Sequence, residues 1–263
     1  MRSKDDWMNK FYTAYQTDIG LKKKSNQDSI LLKGIGNATE EILLAIICDG
    51  MGGMSKGELA SATTVQAFSK WLTEEFVKRG RDWAAEEIEN QWRAVLNAVN
   101  AKLIAYGQEQ RLELGTTVTV VLLFQDGDYF IGHVGDTRAY HVGMHLEQLT
   151  EDHTFVAREV QKGRMTPEQA QNDSRRNVLL QCIGVNEFFE MQFLQGSIGQ
   201  GEAMLLCSDG FRHKITADEI YVELKPESIQ NENDIRRKLQ KLIQLNKQRQ
   251  ETDNISAVYI KLK

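Results

Sequence analysis

Apolar positions along the chain alternate between two periods. Residues 29–33 and 41–48 are short β-type runs separated by the turn-rich stretch 34–37. The spacing then becomes helical. Ser55 and Glu58 form a capping-box pattern that opens a helix to about Arg79, where Gly80 can supply a left-handed cap. A longer helix is predicted over 82–111, because Ile88, Trp92, Leu96, Val99 and Leu103 recur every three or four residues and make one apolar face. From 116 the chain returns to β-branched runs, 116–124 and 129–134, joined by Asp126-Gly127, a pair suited to a hairpin turn. A third run, 137–142, is expected to complete an antiparallel meander.

The second half continues with polar, helix-prone sequence over 151–173. Within it, Thr166-Pro167-Glu168-Gln169 has a capping residue, a proline at the first helical position and a glutamine at the third. A strand at 203–207, a capping-box pattern at Thr216 and Glu219, an amphipathic helix at 234–249 and a strand at 255–261 follow. Helices gathered between antiparallel strand sets predict an α+β fold of antiparallel sheets covered by helices, not a parallel βαβ fold. No repeat, low-complexity stretch or internal boundary appears, so 1–263 reads as a single domain.

Composition narrows the function classes. Lys+Arg 32 against Asp+Glu 37 gives a net charge of −5, which offers no global attraction for nucleic acid or anionic membrane. No apolar run approaches the roughly 20 residues of a membrane span, and the N-terminal residues lack a secretory h-region. Three cysteines, Cys48, Cys182 and Cys207, lie in apolar runs and fit reduced thiols better than a disulfide framework. A cytoplasmic monomer is expected.

Candidate chemistry lies where aspartates meet strand ends. Asp49 follows the run 42–48, Asp136 follows 129–135, Asp209 follows 204–208, Asp253 precedes 255–261 and Asp28 precedes 30–32. A carboxylate at the mouth of a buried strand loses solvation at a cost that a cation can offset. Several converging at one edge would form the all-oxygen donor set preferred by Mg²⁺ or Mn²⁺. Each alone reads equally well as a turn residue, as Asp126 does. The histidines show no HExxH pattern, the cysteines no CxxC spacing, and no P-loop is present.

These segments occur in a distinctive order: GLKKKSNQDS (20–29), AIICDGMGGMSKGELAS (45–61), GTTVTVVLL (115–123), HVGDTRAY (133–140), LTEDHTFV (149–156), LLCSDGF (205–211) and ETDNISAVYI (251–260). The ordered set resembles the PPM-type, or type 2C, metal-dependent serine/threonine protein phosphatases in their bacterial form. The resemblance implies an αββα sandwich with two Mn²⁺ or Mg²⁺ ions at one edge. It implies that Asp49 bridges the ions, that the Gly50 carbonyl completes the first site, and that Asp209 and Asp253 hold the second. By the same resemblance Asp136 matches a ligand of a third, weaker ion, and Asp28 an acidic residue orienting water. Residues 154–180 match a flap beside the active site. The implied activity is hydrolysis of phosphoserine and phosphothreonine in proteins, opposing Ser/Thr kinases.

Three positions depart from the pattern. Lys23 stands where many members carry Arg, with Lys22 and Lys24 as alternative phosphate ligands; lysine keeps the charge but loses the bidentate fork. Gln27 stands where Glu is common. Met51 replaces the histidine proposed as general acid in eukaryotic members. Two rival readings stay open: a non-catalytic phosphoprotein-binding domain of the same fold, and a hydrolase of small phosphate esters.

Overall fold

Runs such as 42–48 are continuously apolar because both faces of their strands are buried. In the computed structural model, which describes residues 10–36, 40–52 and 56–263, two antiparallel sheets stack face to face. One contains β1 (Phe11–Asp18), β11 (Ile255–Leu262), β10 (Ala203–Cys207), β7 (Arg138–Val142) and β8 (Leu146–Gln148), in that order. The other contains β2 (Asp28–Gly36), β3 (Glu41–Gly52), β5 (Val118–Phe124), β6 (Asp128–Val134) and β9 (Gln192–Ser197), with short β4 (Leu114–Thr116) on the end of β3.

The period-two alternation assigns each side chain a layer. Leu43, Ala45 and Ile47 of β3 meet Met204 and Leu206 of β10 and Val258 and Ile260 of β11 between the sheets. Ile42, Leu44 and Ile46 point the other way, onto α1 (Gly57–Glu74) and α2 (Ala85–Gln110). Leu205, Ala257 and Tyr259 point outward from the first sheet onto α6 (Ala217–Leu224) and α7 (Glu232–Gln248). Each fully buried aliphatic side chain contributes on the order of 2 kcal/mol. The result is the expected αββα sandwich.

Several local expectations shift. The first helix ends at Glu74, five residues early, and two 3₁₀ turns, Phe76–Lys78 and Gly80–Asp82, carry the chain to α2. Gly80 is left-handed (φ 57°) but opens the second of those turns. Ser55 lies outside the described residues. Glu87 rather than Asp82 marks the start of α2, bonding back to the Ala84 amide at 2.9 Å. The boxes at Thr166 and Thr216 cap α4 (Pro167–Asn172) and α6 as read. The expected meander stops after two strands, because β7 pairs with β10 and β8 in the opposite sheet. Gly135, at φ 113°, makes that crossing, and a Cβ there would collide with Thr117 at 2.5 Å.

Candidate metal-dependent active site

The crossing is held in place from behind. His133 Nε2 lies 3.0 Å from the Glu151 carbonyl, which can only accept, so Nδ1 accepts from the Thr119 hydroxyl at 2.9 Å. Burial, and then the neighbouring His153, depress the His133 pKa to about 3, so the ring is neutral. His153 accepts from the Gly135 amide through Nδ1 and donates its own amide to the Gly135 carbonyl at 2.7 Å. Asp136 is thereby fixed at the rim where the two sheets meet.

The other aspartates reach the same rim from both sheets. Asp28 opens β2 directly opposite Asp49 of β3. Asp49 lies within β3, which runs on to Gly52, and is not at its end. Its carbonyl accepts from the Thr117 amide (2.9 Å) and the Thr116 hydroxyl (3.0 Å), and its amide donates to the Thr117 hydroxyl (2.9 Å). Gly50 follows where no side chain fits, since a Cβ would stand 2.2 Å from the Gly57 carbonyl oxygen. From the first sheet, Asp209 opens the single turn α5 (Asp209–Arg212) after β10, and Asp253 sits two residues before β11.

The electrostatics are those of charges held together at a cost. Burial, and then the charges of Asp28, Asp209, Asp136 and Asp253, push the Asp49 carboxyl well above the usual range. Burial also raises Asp28 to about 7, with Asp209 and Asp253 adding to it. The Ser256 and Ser208 hydroxyls oppose that rise but are engaged elsewhere, Ser256 with Thr17 Oγ1 at 2.8 Å and Ser208 with the Ser256 backbone. Both Asp28 oxygens and Asp209 Oδ1 are buried without a hydrogen bond among the described residues. Buried carboxylate oxygens left in that state need a cation or a proton, so this donor set fits hard divalent ions. Among the described residues no three acidic, His or Cys side chains are already closed around one point. Asp253 is instead turned onto Lys23, whose Nζ lies 2.7 Å from Oδ1.

Asp136 is different. Arg212 Nη2 donates to its carbonyl at 3.0 Å and lies 3.8 Å from Oδ2, while also bonding Asp152 Oδ2 at 3.2 Å. Asp152 takes a bidentate fork from Arg138, with both bonds 2.7 Å. Burial pushes the Asp152 carboxyl up, but the guanidiniums of Arg212 and Arg138 bring it below the ordinary range.

Asn254 is a positioning residue that the sequence reading passed over. Its amide donates to Asp253 Oδ1 (2.8 Å), its Oδ1 accepts from the Gln27 amide (2.8 Å), and its Nδ2 donates to the Ile19 (2.9 Å) and Ser25 (3.2 Å) carbonyls. One residue thus ties the loop carrying Lys23, through its side chain, to Asp253, through its backbone amide. The Asp-Asn pair just before a strand was its available signal.

Beside the rim, residues 154–180 leave and return through a bridge between Thr154 and Leu179. They contain α3 (Phe155–Gln161) and α4. A groove of about 1210 Å³ separates them from α5 and α6, with Asp136, Arg158, Arg176 and Arg212 in its walls.

Residues 21–258 match the protein phosphatase 2C family. This chain belongs to that family. The chain is 31% identical over 218 residues to the serine/threonine phosphatase stp of Listeria monocytogenes serovar 1/2a, spanning 81% of this chain and 83% of that protein. The fold superposes on the serine/threonine phosphatase Stp1 from Staphylococcus aureus with a TM-score of 0.82, at 27% identity over 95% of this chain and 94% of that one. It also superposes on the catalytic domain of the serine threonine protein phosphatase PstP in complex with two manganese ions, with a TM-score of 0.77, at 27% identity over 96% and 98% of the two chains. The expectation of a metal-dependent serine/threonine protein phosphatase of the 2C type is borne out over that of a non-catalytic binding domain.

Proposed function

We propose that this chain hydrolyses phosphoserine and phosphothreonine in proteins, with Asp49, the Gly50 carbonyl, Asp209 and Asp253 holding two divalent ions, Mn²⁺ or Mg²⁺. The observation that carries this reading is the convergence of Asp28, Asp49, Asp209 and Asp253 from both sheets, with buried carboxylate oxygens left without hydrogen bonds. Such ions supply Lewis acidity that acidifies water and offsets phosphoryl charge.

The chain's own residues do the rest. Asp49, fixed through its backbone by Thr116 and Thr117, presents one carboxylate between the two sheets' contributions. Asp28, directly opposite Asp49 across β2 and β3, orients the attacking water. Lys23 meets the substrate phosphate. A thiol nucleophile is disfavoured, because burial raises Cys48 well above its ordinary value, Cys182 to about 11 and Cys207 to about 12. In this reading water attacks phosphorus as the P–O bond to the Ser or Thr oxygen breaks, the water's proton passes to solvent, and the leaving oxygen takes a proton from water.

The reading extends to residues 154–180 as a flap contacting the protein around the phosphorylated residue, and to a single domain over 1–263. It further includes a cognate Ser/Thr kinase as the opposing activity, and a cytoplasmic monomer as the working form. No helix of the described residues is long and apolar enough to cross a membrane. The test is phosphate release from phosphoserine and phosphothreonine peptides with Mn²⁺ and after chelation. Equal release in both conditions would overturn it.

A further inference from the structure

Asp136 already faces a cation, and the chain itself supplies it. The Arg212 side chain is only 14% exposed and is gripped at Nη2 by the Asp136 carbonyl and by Asp152. It cannot easily swing away. It leaves α5 three residues after Asp209, and the preceding Phe211 is fully buried beneath α7 with its carbonyl held by Asn246 at 2.8 Å. The buried group Asp136, Asp152, Arg138 and Arg212 sets two guanidiniums against two carboxyls, Arg138 on Asp152 and Arg212 between Asp152 and Asp136. Asp152 is already shared between two guanidiniums, Arg138 on both of its oxygens and Arg212 on Oδ2.

We infer that the Arg212 guanidinium takes the place of a third divalent ion at Asp136, so that this enzyme carries two ions and not three. The inference rests on the two-ion reading above. It departs from the expectation that Asp136 is a metal ligand. A divalent ion on the same carboxylate would meet a fixed positive charge across a short, poorly solvated gap, and like charges there repel strongly. Arginine suits the role because it stays protonated and its planar fork can serve two acceptors at once. Arg212 acts here as a positioning residue: it holds Asp136 in place without an ion.

Metal content decides the matter independently of turnover. Equilibrium dialysis of the full chain against millimolar Mn²⁺, followed by metal analysis, should give two ions in the wild type and two in Asp136→Asn. Arg212→Ala should gain a third ion that Asp136→Asn removes in the double variant, and Arg212→Lys, which keeps the charge, should stay at two. Three ions in the wild type falling to two in Asp136→Asn would overturn the inference and leave the two-ion reading standing. A count of two in a folded Arg212→Ala would remove Arg212 from the role. Fewer than two ions in the wild type would overturn both readings. If Arg212→Ala fails to fold, Arg212→Gln replaces it with the same expected gain, and the comparison of wild type with Asp136→Asn still decides between two ions and three.

Discussion

Lys23 Nζ and Asp253 Oδ1 are 2.7 Å apart, so the loop before β2 places a lysine directly on an aspartate of the acidic rim. Burial pulls the Lys23 pKa down, but Asp253, Asp49 and Asp209 together raise it, and the side chain stays cationic. The Lys23–Asp253 ion pair favours Lys23 over Lys22 and Lys24 as the proposed phosphate ligand. A cation held there is placed to meet a dianionic phosphate once the aspartates are neutralised. Lys23→Ala should raise KM for a phosphopeptide roughly tenfold, with kcat less affected, whereas Lys23→Arg should match or improve on the wild type. Steady-state kinetics on the two variants check this, and a defect in Lys22→Ala or Lys24→Ala instead would reassign the role.

Asp209→Asn keeps the shape of the side chain and removes its charge. Activity should fall by at least about 10²-fold, since losing a metal contact forfeits several kcal/mol of transition-state stabilisation. Wild-type turnover in this variant at saturating Mn²⁺ would exclude Asp209 as a ligand.

Asp28 makes the metal-stripped protein sensitive to pH in a defined direction. Burial raises its folded-state pKa from the ordinary carboxylate range to about 7. The fold therefore prefers the protonated form, and the stabilisation is fully present below about pH 4 and lost as pH climbs through 7. Relative to Asp28→Asn, the chelated wild type should lose on the order of 4 kcal/mol between pH 4 and 8. Thermal unfolding of both proteins across that range tests it. A gap in Tm that does not change with pH would show that Asp28 is not held in this way.

Two adjacent arginines in 154–180, Arg175 and Arg176, play different parts in the structure. Arg175 pairs with Asp173 at 2.8 Å and covers the Phe155 ring at 4.3 Å, which makes it part of the segment's own packing. Arg176 and Arg158 face the groove. Arg176→Ala should lower kcat/KM for phosphoproteins several-fold and leave para-nitrophenyl phosphate, too small to fill the groove, nearly unchanged. Equal losses on both substrates would mean that the segment supports the metal rim instead of selecting the substrate.

The acidic rim was legible in sequence because each of its aspartates lies within two residues of an apolar run, and such runs are hard to mistake once both faces of a strand are buried. Strands with one polar face were not. β1 (FYTAYQTD) and β9 (QFLQGS) alternate apolar and polar residues too weakly to be distinguished from loop. The crossing at Gly135 could not be read at all, because a strand carries no local mark of which sheet it will join. For the same reason Arg212 escaped notice: its partners, Asp136 and Asp152, are 76 and 60 residues away in sequence.

β11 lies between β1 and β10, so the strand that follows Asp253 inserts beside the first described strand of the chain. Completion of the rim is thus tied to closure of the whole sandwich. Any piece of this chain that stops short of 255 exposes the long edges of β1 and β10 and leaves Asp253 unanchored. Exposed edges of that length are an aggregation hazard. Proteolytic clipping near residue 250 would accordingly act as an all-or-none off-switch, and a nascent chain would remain inert until β11 had emerged.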